Sequence, residues 1–530
     1  MNSIRRFAAL CAVLLLTMLP VQMAHADPED IQASARSVVR VALIAMQGEE
    51  VFFLGHGSGF AVTPDTIITN AHVVQPSTND RSIIVGVVPS EGSEIYRSRI
   101  VAYSPQQDLA LIRIEQGSLE PISIFGQQVG DGSDIVAIGY PGAVDRALGL
   151  TDGDKVEPGT PIKTTGTISG GRSNREFATF THTAAVARGN SGGPIVDECG
   201  RVVGVNSFIS VSDGSDAEFG FAISNQELLS FLRNSGISPR IATTPCRSSA
   251  QISQAETRRA LAEIAQQGDE AMARAREEQR RQAALERSVD QEIRSERENY
   301  MAAALLLVVL AGFSGTAALT FAGRPDAGKT RIAGGVAAIM GVGAVALFLL
   351  RPSYDEFTDR LAIAIEQRTQ PEDDQPQQIM AQSYVGDNIC TIQSERSRIT
   401  ISQANDIGFS WSDSGCVNGR TQYGRDGDEW VRILVPNEEQ TVSVYRFNPD
   451  SGELALSRYL LGLEAMQQAR NIRSRFGGEQ CSNDKAMRDA LEGMQDALLA
   501  IIPQRPNERL VYQCASRVGN QPDRIEAVAN

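Results

Sequence analysis

Two uncharged apolar runs, residues 301–322 and 332–350, constrain this chain more than any other feature. They hold 22 and 19 residues, and each can cross about 30 Å of hydrocarbon as a helix. Their Gly and Ala content suits close helix packing in lipid. The segment between them carries Arg324, Lys329 and Arg331 against Asp326. A short basic loop prefers the cytoplasmic side, so the flanking regions are expected together on the opposite, exported side. The chain is thereby divided into a long N-terminal part, a two-helix membrane hairpin and a C-terminal part.

The N-terminus agrees with export. Arg5 and Arg6 precede an apolar stretch, and Ala24-His25-Ala26 supplies a small-x-small cleavage pattern, so residues 1–26 read as a signal peptide. Cys11 falls inside that stretch, leaving Cys199, Cys246, Cys390, Cys416, Cys481 and Cys514. An even count in an exported chain predicts disulfides. The simplest pairing joins neighbours, one pair in the N-terminal part and two near the C-terminus. No Cys-x-x-Cys occurs and His is scarce, so no metal site is expected. The net charge of −15 argues against sequence-independent nucleic-acid binding, which needs a basic surface.

From about residue 34 to 240 the pattern is short β-rich runs broken by Gly, Pro, Asn and Asp, at 38–46, 66–69, 83–88, 109–114, 135–138 and 202–205. This predicts an all-β barrel or sandwich, closed by a short helix over 226–234. Within it lies Gly189-Asn190-Ser191-Gly192-Gly193-Pro194. A nucleophilic serine needs a sharply turned backbone and N–H groups aimed at the oxyanion of a tetrahedral intermediate. Thr69-Asn70-Ala71-His72 places a histidine at the end of a strand-like run, where a general base can be held. Asp108, just before the apolar run Leu109-Ala110-Leu111-Ile112, is placed to be buried against an imidazole. Each motif alone has a bland reading as a turn, a structural histidine or a strand-initiating aspartate.

Together, and in the order His, Asp, Ser, they resemble the trypsin-like serine proteases, and within them the HtrA/Do (Deg) proteases. Gly57-Ser58-Gly59-Phe60, the segment 200–206 and Phe219-Gly220-Phe221-Ala222-Ile223 carry the same likeness. The resemblance covers residues 34–235, under half the chain. It implies a double β-barrel with the site in the cleft between the barrels. It implies Ser191 as nucleophile, His72 as general base and then acid, Asp108 as orienting carboxylate, and the N–H groups of Gly189 and Ser191 as oxyanion hole. It also implies a specificity pocket floored by Ala185 and walled by Val205, Asn206, Ser207 and Phe208, with no cofactor. Three departures stand out. No PDZ domain follows, His182-Thr183 stands where the family commonly has Thr-Asp, and Ala187-Arg188 stands where it has Asn-Pro. His182 reads as a strand residue, with substrate recognition as its alternative.

Residues 248–300 form a charged helical stalk by composition. Over 251–300 there is no proline, one glycine, nine Arg and eleven Asp or Glu, and a sustained heptad is absent, so a solvated helix is preferred to a coiled coil. Residues 351–380 read as a linker that is rich in Pro, Gln and acidic residues over 367–378. Residues 381–530 read as a Cys-containing α+β domain, with strands at 430–435, 441–447 and 453–459 and helices at 461–476 and 484–502. Gly323 to Thr330 fits G-x-x-x-x-G-K-[ST]. A phosphate loop needs a preceding strand, and here it joins two membrane spans, so nucleotide binding is rejected. The reading is a membrane-tethered serine endopeptidase of an exported compartment, expected in a bacterial periplasm, acting on protein or peptide substrates. Its partners are those substrates and lipid along the two spans, without nucleic acid, and a homo-oligomer is left open. The rival is a non-enzymatic membrane sensor whose protease fold binds partners.

Overall fold

The computed structural model describes residues 27–517, apart from 48–49, 173–177, 210–218, 323–326, 354–355, 370–383, 477–479 and 483. The expected signal peptide lies outside the described residues. A short helix α1 (Pro28–Arg36) leads into β1 (Val38–Gln47), β2 (Glu50–Ala61) and β3 (Thr66–Thr69). Helix α2 (Ala71–Asn79) follows, then β4 (Ile83–Val88), β5 (Tyr96–Ser104) and β6 (Leu109–Ile114). These six strands close into a barrel in the order β1-β2-β3-β6-β5-β4. Period-two alternation explains why β6 is apolar on both faces. Ala110 and Ile112 fill the barrel with Val41, Ile67 and Val87. Leu109 and Leu111 face outward into a second cluster shared with Val136, Val205 and Ile223.

The second barrel contains β7 (Ile124–Phe125), β8 (Asp134–Gly139), helix α3 (Gly142–Ala147), β9 (Ile162–Arg172) and β10 (Thr179–His182). It continues through β11 (Pro194–Val196), β12 (Val202–Ile209), β13 (Gly220–Ser224), α4 (Asn225–Asn234) and β14 (Ile241–Ala242). The sheet order is β11-β8-β9-β10-β13-β12-β7-β14, and an extra β11–β12 pairing closes six of these strands into a ring. Its interior holds Ile135, Ile168, Phe180, Ile195 and Ala222. The Ser224 hydroxyl caps α4 by accepting from the Glu227 amide at 3.4 Å. The outward-facing cluster of each barrel is one continuous core, so a cleft forms where the barrels meet.

Helix α5 runs without a break from Ser249 to Ala322, joining the expected stalk and first apolar run in one element of 74 residues. Helix α6 (Ala327–Leu349) carries the second run. Residues 258–380 form a compact unit of their own. Helix, not strand, leads into the phosphate-loop-like motif, which agrees with its rejection. A helix α7 (Glu356–Thr369) occupies the first half of the expected linker. Its first turn carries Glu356 and Asp359, and Arg360 pairs with Glu356 at 3.2 Å, both helix-supporting features. The Pro-rich remainder, 370–378, lies outside the described residues.

The C-terminal part belongs to the same compact unit as the barrels, residues 1–257 and 381–530. Its strands begin with β15 (Gly386–Ile392), β16 (Ile407–Trp411), β17 (Cys416–Val417), β18 (Thr421–Gln422) and β19 (Gly424–Asp426). They continue with β20 (Glu429–Leu434), β21 (Thr441–Asn448), β22 (Glu453–Leu460) and, after α8 (Leu463–Ser474) and α9 (Lys485–Leu499), β23 (Glu508–Ser516). All nine join one antiparallel sheet, β18-β17-β16-β15-β23-β22-β21-β20-β19. Val431, Ile433, Val442 and Val444 face α8 and α9 through Met466, Leu491 and Leu498. Trp411, Trp430, Phe447 and Leu454 pack on the other face.

The disulfides are Cys199–Cys246, Cys390–Cys514 and Cys416–Cys481. The pair in the N-terminal part is as expected; the C-terminal pairs correct the neighbour pairing. Cys390 and Cys514 are direct cross-strand partners on β15 and β23, because the last strand returns to the middle of the sheet. Sequence proximity carries no information about that return.

One buried arginine ties the sheet to the first barrel. Arg398, its side chain 4% exposed, pairs with Asp27 at 2.9 Å and with Asp30. It donates to Arg247 O at 2.8 Å, and Asn507 Nδ2 donates to Asp30 Oδ1 at 2.8 Å. Burial pushes the Asp30 carboxyl up to about 6 despite the pull of Arg398. Its ionisation therefore costs stability: its contribution is greatest below the ordinary Asp value and is lost as pH rises to about 6. Arg398→Met leaves two carboxylates without their cation and is expected to cost about 3–5 kcal/mol. The check is a thermal melt, with a larger loss at pH 8 than at pH 5 and partial recovery on adding Asp30→Asn.

Candidate active site

The geometry is built from short segments that each barrel holds at the cleft. β3 ends at Thr69, Asn70 takes an extended conformation, and α2 starts at Ala71, so His72 stands in the first turn of a helix. Its side chain is 47% exposed. Its Nδ1 lies 2.9 and 3.0 Å from the two carboxylate oxygens of Asp108. The His72 amide donates to Asp108 Oδ1 at 3.1 Å. With Asp108 ionised, the ring proton sits on Nδ1 and leaves Nε2 as the acceptor facing the cleft.

Asp108 occupies the left-handed region, φ 53°, which is costly for a residue with a Cβ and persists only where neighbours hold it. Here Asn70 Nδ2 donates to its carbonyl at 2.8 Å, and the Ser207 hydroxyl donates to its Oδ2 at 2.5 Å. Burial pushes the Asp108 carboxyl up. The hydrogen bond and charge of His72, the Ser207 hydroxyl and the His72 amide outweigh it and hold the carboxyl below the ordinary range.

Ser191 lies in the second barrel's glycine turn. Its Oγ donates to Ser207 O at 2.9 Å, and no hydrogen bond joins it to His72 among the described residues. Gly189 has φ +105°, and a Cβ there would sit 2.3 Å from Tyr140 O. Gly192 has φ +87°, and its Cβ would sit 2.2 Å from Ser58 O. Neither position accepts a side chain. Among the described residues, no group accepts a hydrogen bond from the amides of Gly189 and Ser191.

Ser58, fully buried, is the pin between the barrels. Its hydroxyl donates to Gly189 O at 2.7 Å and accepts from the Tyr140 amide at 2.9 Å. Its amide donates to Ser191 O at 2.8 Å, and its carbonyl accepts from Thr69 Oγ1 at 2.7 Å. His56 lies in β2, not in the Gly-rich turn its neighbours suggest. Its Nε2 is 2.9 Å from Tyr140 O and 3.4 Å from Asp145 Oδ2. Burial holds its ring below the ordinary histidine value, against the pull of Tyr140 O and Asp145.

The residues expected around the pocket are less uniform. Ala185 is exposed, and its carbonyl accepts from Thr164 Oγ1 at 2.7 Å. Val205 belongs to the core between the barrels, and the Ser207 hydroxyl is spent on Asp108. Asn206 Oδ1 is 3.3 Å from His182 Nε2. Phe208 is half-buried and stacks on Phe221 with centroids 4.5 Å apart. His182 is fully buried in β10 beneath Gly220, and burial holds its ring below the ordinary value.

Comparison with known proteins bears on this arrangement. The trypsin-like peptidase domain family matches residues 57–205. The chain is 29% identical over 225 residues to the serine protease Rv3671c of Mycobacterium tuberculosis, covering 41% of this chain and 50% of that protein. It is 33% identical over 184 residues to the periplasmic serine endoprotease DegP of Escherichia coli, covering 33% of this chain and 35% of DegP. Residues 57–205 form a trypsin-like peptidase domain, similar in sequence to serine proteases of the HtrA type. The match spans half or less of each of these curated relatives. A crystal structure of the Rv3671c protease in its active form aligns with 42% of this chain and 93% of that one, at 26% identity and a TM-score of 0.31.

Within the protease domain, the sequence motifs leave two groups unassigned that the geometry brings in. Ser207, expected in the pocket, is a further donor to the Asp108 carboxylate beside His72. Ser58, read only as part of a family-like glycine motif, joins the glycine turn to the first barrel. A serine between two glycines is the signal that could have found it.

Proposed function

We propose that this chain is a membrane-tethered serine endopeptidase in which His72, Asp108 and Ser191 carry the reaction. The observation that carries the reading is Asp108 gripping His72 Nδ1 beside a glycine turn whose two amides have no acceptor among the described residues. Ser191 Oγ turns from Ser207 O toward His72 Nε2, passes its proton there and attacks the substrate carbonyl. The amides of Gly189 and Ser191 receive the developing oxyanion. His72 returns the proton to the leaving amine, and water then hydrolyses the acyl-enzyme by the same route. Asp108 stabilises the imidazolium throughout.

The substrates are exported or unfolded proteins. Ala185, expected at the pocket floor, brings no carboxylate to pair with Lys or Arg, and Phe208, stacked on Phe221, would shorten an apolar pocket. Small aliphatic residues such as Val or Ala are preferred on the acyl side of the cut, with soft discrimination, since a methylene is worth about 1–3 kcal/mol. Arg188, exposed beside the turn, adds at most about 1 kcal/mol for an acidic residue just past it. Digesting a denatured protein mixture and sequencing the new termini tests both the activity and the preference. Dominant cleavage after Lys or Arg contradicts the pocket, and cleavage after Glu makes His182 the specificity group.

Two described helices are long and apolar enough to cross a membrane, and exposed Leu305, Phe313, Leu319, Ile339 and Val342 along them suit contact with lipid. In this reading the protease and C-terminal parts lie on the periplasmic face of a bacterial inner membrane. Reporter fusions after residues 245 and 380 are expected to read as exported, and one within residues 323–330 as cytoplasmic. A cytoplasmic signal after residue 380 contradicts the hairpin.

A further inference from the structure

Outside the candidate active site, the unit formed by residues 1–257 and 381–530 holds a cleft of about 1270 Å³. It lies where the segment Pro239-Arg240-Ile241 meets the C-terminal sheet. Five arginines line it: Arg240, Arg420, Arg432, Arg458 and Arg473. In a chain of net charge −15, such a concentration runs against the general field of the molecule.

Three of the five are engaged locally: Arg432 is buried and donates to Gln422 O at 3.3 Å. Arg240 pairs with Glu120 at 2.5 Å and Arg458 with Glu508 at 2.9 Å. Arg420 is different: it is exposed, and its side chain has no hydrogen bond or ion pair among the described residues. Arg473 donates to Val435 O and to Asn437 Oδ1 at 2.5 Å, both uncharged. Its charge is felt nearby: partial burial, and then Arg473, hold the Arg470 guanidinium below its ordinary value. Among the described residues Glu439 is the one carboxylate lining the cleft, and it is exposed.

The wall also offers a hydroxyl with nothing to bind. Thr441 is 7% exposed and lines the cleft, and its buried Oγ1 has no hydrogen-bond partner among the described residues. An unpaired buried hydroxyl costs stability, and a ligand group reaching it would recover that cost. Strand alternation puts Thr441, Ser443 and Tyr445 on one face of β21 and into the same cleft. Uncompensated guanidiniums, hydroxyls and interspersed apolar side chains (Val435, Phe476, Met494) form a lining suited to carboxylate side chains on an extended backbone.

We infer that this cleft binds an acidic segment of polypeptide, as an exosite for substrates of the protease domain. The substrate part rests on the proteolytic reading; the binding part does not. Its volume accommodates several residues, within reach of the size of ordinary ligand sites of roughly 300–1,000 Å³. The C-terminal sheet then does more than pack on the barrels: it recruits acidic stretches that the rest of the molecule repels.

The test uses the full chain in neutral detergent carrying Ser191→Ala, so that binding is measured without hydrolysis. A fluorescent octa-glutamate peptide is titrated by anisotropy, with octa-lysine and inorganic phosphate as controls. Saturable octa-glutamate binding that weakens at least about tenfold with Arg420→Glu, and less with Thr441→Val, supports the site. Both variants stand outside the catalytic groups, and Arg420 is exposed, so folding is not at stake in it. Binding untouched by Arg420→Glu, equal binding of octa-lysine, or no binding overturns the inference. Displacement by phosphate at equal charge concentration overturns it in favour of a small-anion site. In the active chain, Arg420→Glu is expected to raise KM for an acid-tagged protein about tenfold while hydrolysis of a short uncharged peptide is unchanged. If the short peptide is not cut at all, the proteolytic reading fails and the anisotropy result still decides the site.

Discussion

Replacing Ser191 by Ala is expected to lower peptide hydrolysis by about 10⁶-fold, and His72→Ala nearly as much, with the double substitution no worse than either alone. The reason lies in how the two groups depend on each other. A serine hydroxyl is a weak nucleophile until a base takes its proton, and the base does nothing without the hydroxyl. Neither change touches what shapes the turn. Ser58 still holds Gly189 O and Ser191 O through its own hydroxyl and amide, so the residual rate reports the oxyanion amides and substrate binding. His72 is half-exposed on α2, and its loss opens no cavity. Both variants should therefore melt near the wild-type temperature, and turnover of a fluorogenic peptide by purified protein measures the difference. Wild-type turnover by Ser191→Ala, from a host without contaminating proteases, refutes the assignment.

Asp108→Asn is expected to reduce kcat by about 10⁴-fold. The carboxylate now accepts from His72 Nδ1 and fixes the ring proton there. An amide at the same place can present its NH₂ to Nδ1, which moves the ring proton to Nε2 and removes the base. Two neighbours make this site unusually committed to an anion. The Ser207 hydroxyl and the His72 amide both donate to the carboxylate, and one of them must lose its acceptor when the NH₂ group arrives. Because the Asp108 carboxyl is held below its ordinary value, the stability it contributes is present above that ordinary value and is lost as pH falls through the lowered one. Asp108→Asn should therefore flatten the acid side of the stability profile as well as abolish most of kcat. Ser207→Ala removes one donor and leaves the tautomer, so a far smaller loss is expected. Comparable losses from the two substitutions would contradict the ordering of roles.

Four of the six strands of the first barrel were legible in the sequence, and β2 and β5 were not. The expected strands at 66–69, 83–88 and 109–114 coincide with β3, β4 and β6, because each is a short β-branched or aliphatic run bounded by turn residues. The His, Asp and Ser motifs were equally legible, since a sharply turned glycine segment and a carboxylate before an apolar strand are local demands. What was not legible is what long-range pairing creates. Ser207 looks like a pocket residue in the chain and becomes a support for Asp108 only when β12 lies beside the first barrel. His56 reads as part of a glycine-rich turn, yet β2 continues through it, with Gly57 and Gly59 tolerated inside the strand. In the C-terminal part, the β20–β22 meander and both helices follow from alternation and amphipathic period. The short strands β17, β18 and β19 have two, two and three residues, too few for any periodicity. The return of β23 beside β15, which sets the Cys390–Cys514 bond, has no local signal. Helix α7 was masked by its proximity to the Pro-rich stretch.

The central claim is that Ser191 is an activated nucleophile, although its hydroxyl rests on the Ser207 carbonyl at 2.9 Å. A fluorophosphonate probe reads this directly, because it phosphonylates only a serine whose proton is taken by a neighbouring base and whose oxyanion is received. The detergent-solubilised full chain is incubated with the probe, and the modified residue is located by mass spectrometry. Labelling of Ser191 in wild type, none in Ser191→Ala, and strongly slowed labelling in His72→Ala are the results this account predicts. Absence of labelling in a folded wild-type chain, with and without a denatured protein substrate present, would contradict it and leave the protease fold as a binding module.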